Sequence, residues 1–457
     1  AVFEPATNTL LVTIDAEASV DDVVTTATAI VNAISTLPNW TATLSDESNG
    51  SNSGLGRADL LPGDSATDVI ADQLTATATH RIDLDTQVSS LVAHSTSTGD
   101  IAINEFDAIT LSDLDTADGS ITVTAGGAIT ATDVDTSSTD DDTNDITLAT
   151  PGDTITVGLI NVGNANDVIL SAGAAITDTP DSAADVVANL ATITVAGSVT
   201  LDTEVTLIDI TTSATGNVSI DETDDLTITQ IITSDGSIDV NSGSSIDVVL
   251  VRSDTTGHAV DLTATSDIQT GVIDAGTTGA LTLTSGGSFL ATSTQSAPNL
   301  RGGAIAIDTG DTNSPTTTGL TIESHDTLTV TGNGLAIDGS SLSATASGTG
   351  TITLQAPLTG TNAATITLTS STGDVRVEQP ISTDTGAIEI TAAVDIDQAA
   401  TGLLSTDSAD ITLIATTGNI TMDVAASTMS TGGDVSYQAG DTITVGLINV
   451  GNANDVI

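Results

Sequence analysis

The sequence predicts an all-β protein, a right-handed parallel β-helix (β-solenoid) preceded by a small βαβ-type module. Two features predict the solenoid: a short apolar figure that recurs along the chain, and an identical internal repeat. The segment Gly152–Ile169, GDTITVGLINVGNANDVI, occurs again without change at Gly440–Ile457. Such repetition is typical of proteins that stack one structural unit on the next, such as spacers, fibres and adhesive stalks.

The short figure places apolar residues 2, 4, 10 and 12 positions after a glycine. After Gly99 these are Ile101, Ile103, Ile109 and Leu111. The figure returns after Gly119, Gly216, Gly236, Gly279 and Gly433, and in five of the six copies a further apolar residue follows at +15: Leu114, Val134, Ile231, Val251 and Ile448. Apolar residues two apart form strands with one buried face, and the short stretch between the pairs leaves room for a corner but not for a helix.

Short strands of this kind cannot bury their apolar face alone, so each coil must stack on the next. This predicts a parallel β-helix over residues 99–457, with coils of about 20 residues each. The alternative is a β-sandwich of hairpins, which would need longer strands and two-residue turns such as Asn-Gly. From the coil length and a strand spacing of about 4.8 Å, we expect a rod of roughly 85 Å.

The chain before Gly99 does not follow the figure. Residues 1–50 predict a small α/β module, with a strand at Leu10–Ile14, a helix from the capping box at Ser19 to about Ser35, and a strand at Trp40–Leu44. Residues 51–98 predict a linker and the capping coils that lead into the solenoid. Within the solenoid, Asp178–Asn189 could form one helical turn, and Thr309–Gly319 is a Pro/Thr-rich loop.

The charge of the chain excludes several classes of partner. It has 61 acidic residues and five arginines, no lysine, and a formal net charge of −56. Nucleic-acid binding and attraction to an anionic membrane both require basic groups, so we expect neither. A hydrophobic fraction of 39% in a periodic pattern predicts a folded chain with an acidic coat, which salt or divalent cations would screen. There is no cysteine, and no run of about 18 apolar residues that would insert into a membrane.

Two acidic clusters are candidate Ca²⁺ sites: Asp113, Asp115 and Asp118 in one, and Asp140, Asp141 and Asp142 in the other. A calcium loop needs D-x-[DN]-x-[DN]-G spacing and a distal Glu, and neither stretch supplies both. The alternative is a solvated corner loop with diffuse binding of divalent cations. No other cofactor is expected, and the four dispersed histidines are interpreted as loop residues.

No catalytic or cofactor-binding residue is expected. Polysaccharide lyases built on β-helices need Lys or Arg beside an acidic sugar, and sugar subsites usually contain aromatic platforms; here lysine is absent and aromatic residues are very few. A hydrolase could work with carboxylates alone, so a carbohydrate-active β-helix stays open as an alternative. Outward T-x-T pairs such as Thr122/Thr124 also suggest an ice-binding face as an alternative function. Asp239, Arg376 and Glu389 stand at equivalent positions and would interrupt such a face.

The recurring figure in GSITVTAGGAITA (119–131) and GALTLTSGGSFLA (279–291) resembles the coil repeats of filamentous haemagglutinin-type adhesins and related giant repetitive bacterial surface proteins. The N-terminal module resembles the small βαβ inserts of large bacterial surface proteins and hook-associated flagellar proteins. The resemblance implies an extracellular, elongated protein that holds an adhesive tip away from a cell or assembles into a fibre. These families have no catalytic residues to carry over.

The functional hypothesis is therefore a structural rod segment, secreted or on the cell surface, of a bacterial filament or adhesin stalk. Its expected partners are further copies of itself in a fibre, or continuation in a longer chain. A cell-surface or glycan receptor bound through the loops near 135–145 or 309–319 is the remaining hypothesis.

Overall fold

The computed structural model describes residues 2–4, 9–13, 67–139, 143–180, 183–253, 257–291, 298–311, 319–451 and 454–457. Within these ranges all regular structure is β, without a helix, and parallel strands stack coil upon coil. The predicted all-β class and parallel β-solenoid are thereby confirmed. The chain divides into two compact units, Ala1–Thr223 and Asp224–Ile457.

The first unit contains seventeen strands among its described residues. They are β1 Val2–Glu4, β2 Thr9–Thr13, β3 Val69–Ala78, β4 Ile82–Thr98, β5 Ile101–Glu105, β6 Ile109–Asp118, β7 Ile121–Ala125, β8 Ile129–Ala131, β9 Val134–Asp135, β10 Ile146–Thr150, β11 Ile155–Val157, β12 Ile160–Asn161, β13 Asp167–Ala172, β14 Ile176–Asp178, β15 Val186–Val195, β16 Val199–Thr215 and β17 Val218–Glu222.

The second unit continues the numbering with twenty-seven described strands. They are β18 Leu226–Asp235, β19 Ile238–Ser242, β20 Ile246–Arg252, β21 Val260–Ala264, β22 Ile268–Asp274, β23 Leu281–Ser285, β24 Phe289–Ala291, β25 Leu300–Gly302, β26 Ile305–Thr309, β27 Leu320–Ser324, β28 Leu328–Gly332, β29 Leu335–Asp338, β30 Leu342–Ala346, β31 Ile352–Leu354, β32 Leu358–Thr361, β33 Ile366–Ser370, β34 Val375–Val377, β35 Ile381–Thr383, β36 Ile388–Ala392, β37 Ile396–Gln398, β38 Leu404–Thr406, β39 Ile411–Ala415, β40 Ile420–Met422, β41 Ser427–Ser430, β42 Val435–Ala439, β43 Ile443–Thr444 and β44 Leu447–Val450.

The core of each unit consists of apolar ladders that run from coil to coil. In the first unit one ladder joins Ile101, Ile121, Ile146, Val168 and Ala191 in parallel register. In the second unit another joins Val260, Leu281, Ile305, Leu328, Ile352, Val375, Ile396 and Ile420. All of these side chains are buried. Burying each Ile, Val or Leu contributes about 1.5–3 kcal/mol, so the ladders provide most of the stability.

The residues between the buried ones point outward, as the period-2 pattern predicts. In β7, Ile121, Val123 and Ala125 are buried, whereas Thr122 and Thr124 are exposed. The outward threonines also form columns, and these are interrupted as expected, because Thr367 pairs with Glu389 and Thr353 with Arg376. A continuous threonine face is therefore broken at these positions.

Corner glycines allow the coils to approach each other closely. A Cβ placed on Gly279 would overlap the carbonyl oxygen of His258 in the preceding coil, and one on Gly433 would overlap that of Ala409. The recurring glycine of the sequence figure thus marks places where backbone packs on backbone.

The coils are not uniform in length. One step of the first ladder joins Ile101 to Ile121, whereas the next joins Ile121 to Ile146 and spans a longer stretch of chain. The step from Ile352 to Val375 in the second unit is also longer than the first one. Many coils therefore exceed the length expected from the sequence figure.

At the N-terminus, β1 and β2 form an antiparallel pair, and β2 joins β3 in parallel, with Leu10 opposite Leu74. The strand predicted at 10–14 is thus present at Thr9–Thr13. The predicted helix from 19 to 35 and the strand at 40–44 lie outside the described residues. Within residues 51–98, where a linker and capping coils were predicted, the described part forms β3 and β4, which pair in parallel.

One expectation about local structure is wrong. The helical turn proposed for 178–189 does not form at its C-terminal end, because β15 begins at Val186 and pairs with β12, which places Val186 in an apolar ladder. Ile443, expected at an inward position, pairs in register with the buried Ile420, although Ile443 and Val445 are 44% and 43% exposed. Most of the loop at 309–319 lies outside the described residues.

Candidate functional site

One group of metal-ligating side chains includes two of the predicted calcium ligands. Asp113 and Asp115 lie on β6 and meet His94 of the neighbouring strand β4. The His94 Nε2 atom lies 3.3 Å from Asp113 Oδ2 and 4.0 Å from Asp115 Oδ2. The interpretation of the histidines as loop residues is wrong for His94, which occupies a regular strand position opposite Asp115.

The other predicted calcium ligands do not join this group. Asp118 ends β6 opposite Thr98, beyond the part of the strand that faces His94. Asp140, Asp141 and Asp142 lie outside the described residues. Asp113, Asp115 and Asp118 therefore do not come together as one calcium loop. They lie on β6, a continuous strand whose successive side chains alternate in direction.

The electrostatics of the group are dominated by crowded carboxylates. Removal from water raises the pKa of Asp115, Asp113 raises it further, and His94 partly opposes the shift. The pKa of Asp133 is raised for the same reasons, first by removal from water and then by Asp113 and Asp135. His94 Nε2 is removed from solvent and has no hydrogen-bond partner among the described residues.

An imidazole nitrogen and two carboxylates suit a transition metal such as Zn²⁺ better than Ca²⁺, which prefers six to eight oxygen ligands. All three side chains are between one third and one half exposed, so they form a surface cluster and not an enclosed site.

A second acidic group, which the sequence reasoning missed, combines Asp178, Asp185 and Asp202. Asp185 is buried, and its carboxylate accepts a hydrogen bond of 2.9 Å from the Asp202 backbone N–H, while its own N–H donates to the Asp202 carbonyl at 2.7 Å. Asp68 and Asp85 make the same two contacts, at 3.3 and 2.7 Å. The Asp185–Asp202 pair and the Asp68–Asp85 pair thus make the same contacts within one unit. We therefore interpret each pair as a structural contact that holds two neighbouring coils together.

Two buried glutamates belong to the same repeated arrangement. Glu105 accepts hydrogen bonds from the Thr86 hydroxyl at 2.7 Å and from the Val88 backbone N–H at 3.1 Å. Glu222 accepts the equivalent bonds from Thr203 at 2.8 Å and Val205 at 3.2 Å.

Buried carboxylates are common in active sites, but here both carboxylates accept hydrogen bonds from the neighbouring coil. Removal from water raises the pKa of Glu105, and the hydrogen bonds from Thr86 and Val88 partly oppose the shift. The sequence signal that could have found these pairs is L-D-T-x-V at 84–88 and at 201–205, which Glu105 and Glu222 follow at the same spacing. This gives a second internal repeat, distinct from the identical segment.

Shallow pockets also occur on the surface of the described residues. One, of about 260 Å³, is lined by residues that include Arg376, Glu378, Asp397 and Asp423. The pKa of Asp397 is raised by removal from water and by Asp395, and Arg376 lowers it in part. Another, of about 240 Å³, lies beside Glu105 and contains Phe106, whose ring is 66% exposed. The first of these pockets has carboxylates without an aromatic platform among its lining residues.

The comparisons with known proteins give no family. No protein-family model, no curated protein and no solved structure matches the chain. In the part of the chain that the structure describes, no helix has the length and apolar character of a membrane span.

Proposed function

We propose that this chain is a structural segment of a large repetitive bacterial surface protein, acting as an extracellular rod in a filament or adhesin stalk. The observation that carries the proposal is the ladder architecture: apolar rungs continue from coil to coil in parallel pairing, and an identical segment is used twice. A fold that grows in one dimension by repetition suits a spacer, since each added coil lengthens the molecule without a new core.

The acidic coat fits this role. With a net charge of −56, neighbouring rods repel one another and remain soluble, while salt or divalent cations screen repulsion within each rod. Outward threonines and aspartates provide this coat without disturbing the buried ladders.

Labelling of intact cells tests the location and the role. An antibody raised against the purified chain should bind to cells that make the protein before they are permeabilised, and mild protease treatment of intact cells should remove the signal. Labelling that appears only after permeabilisation would contradict an extracellular rod.

A carbohydrate-active enzyme is the second candidate, favoured only by the pocket that contains Glu378, Asp397 and Arg376. We propose that the chain is not an enzyme, so purified protein should release no sugar from pectin, alginate or chitin. Reproducible cleavage that is lost in Asp397→Asn but kept in Asp72→Asn, an exposed carboxylate on β3, would establish the enzyme instead.

A further inference from the structure

Two neighbouring strands, β4 and β6, bring an imidazole and two carboxylates together. His94 of β4 pairs with Asp115 of β6, and the register between the strands skips Ser112. Such a bulge re-aims the side chains next to it. Asp113 and Asp115 flank the buried Leu114, so both lie on the outer face of β6, beside the imidazole.

The distances between these side chains match the ligand spacing of a small metal ion. With bond lengths of about 2.0–2.2 Å, a tetrahedral Zn²⁺ ion holds its nitrogen and oxygen ligands roughly 3.3–3.6 Å apart. The His94 Nε2 atom lies 3.3 Å from Asp113 Oδ2 and 4.0 Å from Asp115 Oδ2. The Asp115 side chain is 46% exposed, so a small rotation brings its oxygen to the shorter distance.

The His94 Nε2 atom itself points to a ligand. It is removed from solvent and makes no hydrogen bond with the described residues, although Asp113 Oδ2 is close. A shielded polar atom without a partner costs free energy, and native structures usually supply one. A metal ion between the nitrogen and the two carboxylates supplies it, because neutral imidazole offers a lone pair to a metal.

An internal copy of the same strands lacks all three side chains. The repeat that contains L-D-T-x-V at 84–88 and 201–205 extends over β4 and β6 in the first copy and over β16 and β18 in the second. Strand lengths are equal in the two copies, 17 residues for β4 and β16 and 10 for β6 and β18. The second copy has Thr211, Gln230 and Ile232 at the positions of His94, Asp113 and Asp115. Formation of these strands therefore does not require the three ligating residues.

We propose that His94, Asp113 and Asp115 bind one Zn²⁺ ion. Zn²⁺ takes imidazole nitrogen and carboxylate oxygen in tetrahedral coordination, and water completes the fourth position on the exposed side. The ion links β4 to β6, and it offsets the negative charge that Asp133 and Asp135 add near Asp115. It thus fastens two coils of the solenoid to each other, whether or not the chain is a surface rod.

Calorimetric titration of the metal-free full chain with Zn²⁺ tests the site. The buffer contains excess Ca²⁺, which occupies the diffuse coat of 61 acidic residues but prefers oxygen ligands to an imidazole. We expect one Zn²⁺ to bind per chain and to raise the melting temperature, because the folded chain binds the ion and the unfolded chain does not present the site. If no such binding event occurs, the three side chains form an ion pair only and the proposal is overturned.

Substitutions identify the ligands. His94→Thr and Asp113→Gln introduce the residues of the internal copy, and each should weaken Zn²⁺ binding at least about tenfold, since even outer-shell partners of metal ligands cost 10–100-fold. The control is His258→Thr, which removes an equally exposed imidazole 2.7 Å from the Asp235 carboxylate. It should bind Zn²⁺ as the wild type does. Wild-type affinity in His94→Thr would overturn the proposal.

Co²⁺ gives a readout that requires no substitution. Its visible absorption is much stronger in tetrahedral than in octahedral coordination, so the spectrum reports the geometry of the site. We expect one equivalent of Co²⁺, added to the wild-type chain in the same buffer, to give the strong tetrahedral spectrum, and Zn²⁺ to abolish it. A weak octahedral spectrum would mean diffuse binding by carboxylates and would overturn the proposal.

Discussion

At the residue scale, the buried ladder positions are the most sensitive sites in the molecule. Ile121 is fully buried between Ile101 and Ile146, and both of these ladder neighbours are apolar. We expect Ile121→Asp to lower the free energy of unfolding by more than about 4 kcal/mol, because an unpaired carboxylate would enter the core. The control is Thr122→Asp, which adds the same charge at the next, exposed position. Similar denaturation curves for the two variants would show that Ile121 does not face inward.

Glu105 gives a pH-dependent prediction at the same scale. Removal from water raises its pKa above the ordinary value of 4.5, so the folded state holds the proton more tightly than the unfolded chain does. Its contribution to stability is therefore full below pH 4.5 and is lost as the pH rises through the folded-state pKa. Glu105→Gln removes this titration, so the wild type should lose stability relative to the variant as the pH rises from acidic to neutral.

Chemical denaturation at several pH values measures this difference. The control variant is Glu389→Gln, which removes the same charge at an exposed position on β36. Its stability relative to the wild type should change little over the same range. The quantity compared is the free energy of unfolding of the wild type minus that of Glu105→Gln. If this difference stays constant, or grows in favour of the wild type as the pH rises, then ionisation of Glu105 is not disfavoured in the folded state and the prediction is wrong.

At the scale of strands, the acidic column on β6 and β9 should destabilise the fold at low salt. Asp115 lies opposite Asp135 and beside Asp113, which adds to the rise in its pKa. Asp115→Asn should raise the melting temperature at neutral pH and low salt, and the gain should shrink at high salt, since the Debye length falls from about 30 Å at 0.01 M to about 3 Å at 1 M. Asp72→Asn on β3 is the charge-matched control. A gain that is independent of salt would show that repulsion is not its cause.

Much of this strand-level organisation could be predicted from the sequence. The apolar figure placed Ile101, Ile121 and Ile238 correctly in buried ladders, because a period of two with intervening corners has few other solutions. The meeting of His94 with Asp113 and Asp115 could not be predicted. It depends on the register between β4 and β6, which contains a bulge, and no local spacing encodes that register.

The buried Thr86–Glu105 pair was missed for a related reason. Its partners lie one coil of the solenoid apart, so the contact appears only when coils are stacked. The segment at 186–189 was misjudged because its Val and Ala residues suit a helical turn as well as a strand. Tertiary pairing with β12 decided the outcome, since it buries Val186 in a ladder.

At the scale of the whole molecule, the proposal to be tested is that the repeated coils form an elongated spacer. The prediction rests on coil length and strand spacing, because each turn of the solenoid advances the stack by about 4.8 Å. A chain of 457 residues organised in this way should be much longer than a globular protein of equal mass.

Small-angle scattering of the purified chain at physiological salt measures this most directly. The account predicts an asymmetric distance distribution with a maximum dimension of at least about 80 Å. A compact globule of this length would have a radius of gyration of about 22 Å and a maximum dimension of roughly 60 Å. A symmetric distribution ending near the smaller value would contradict the account.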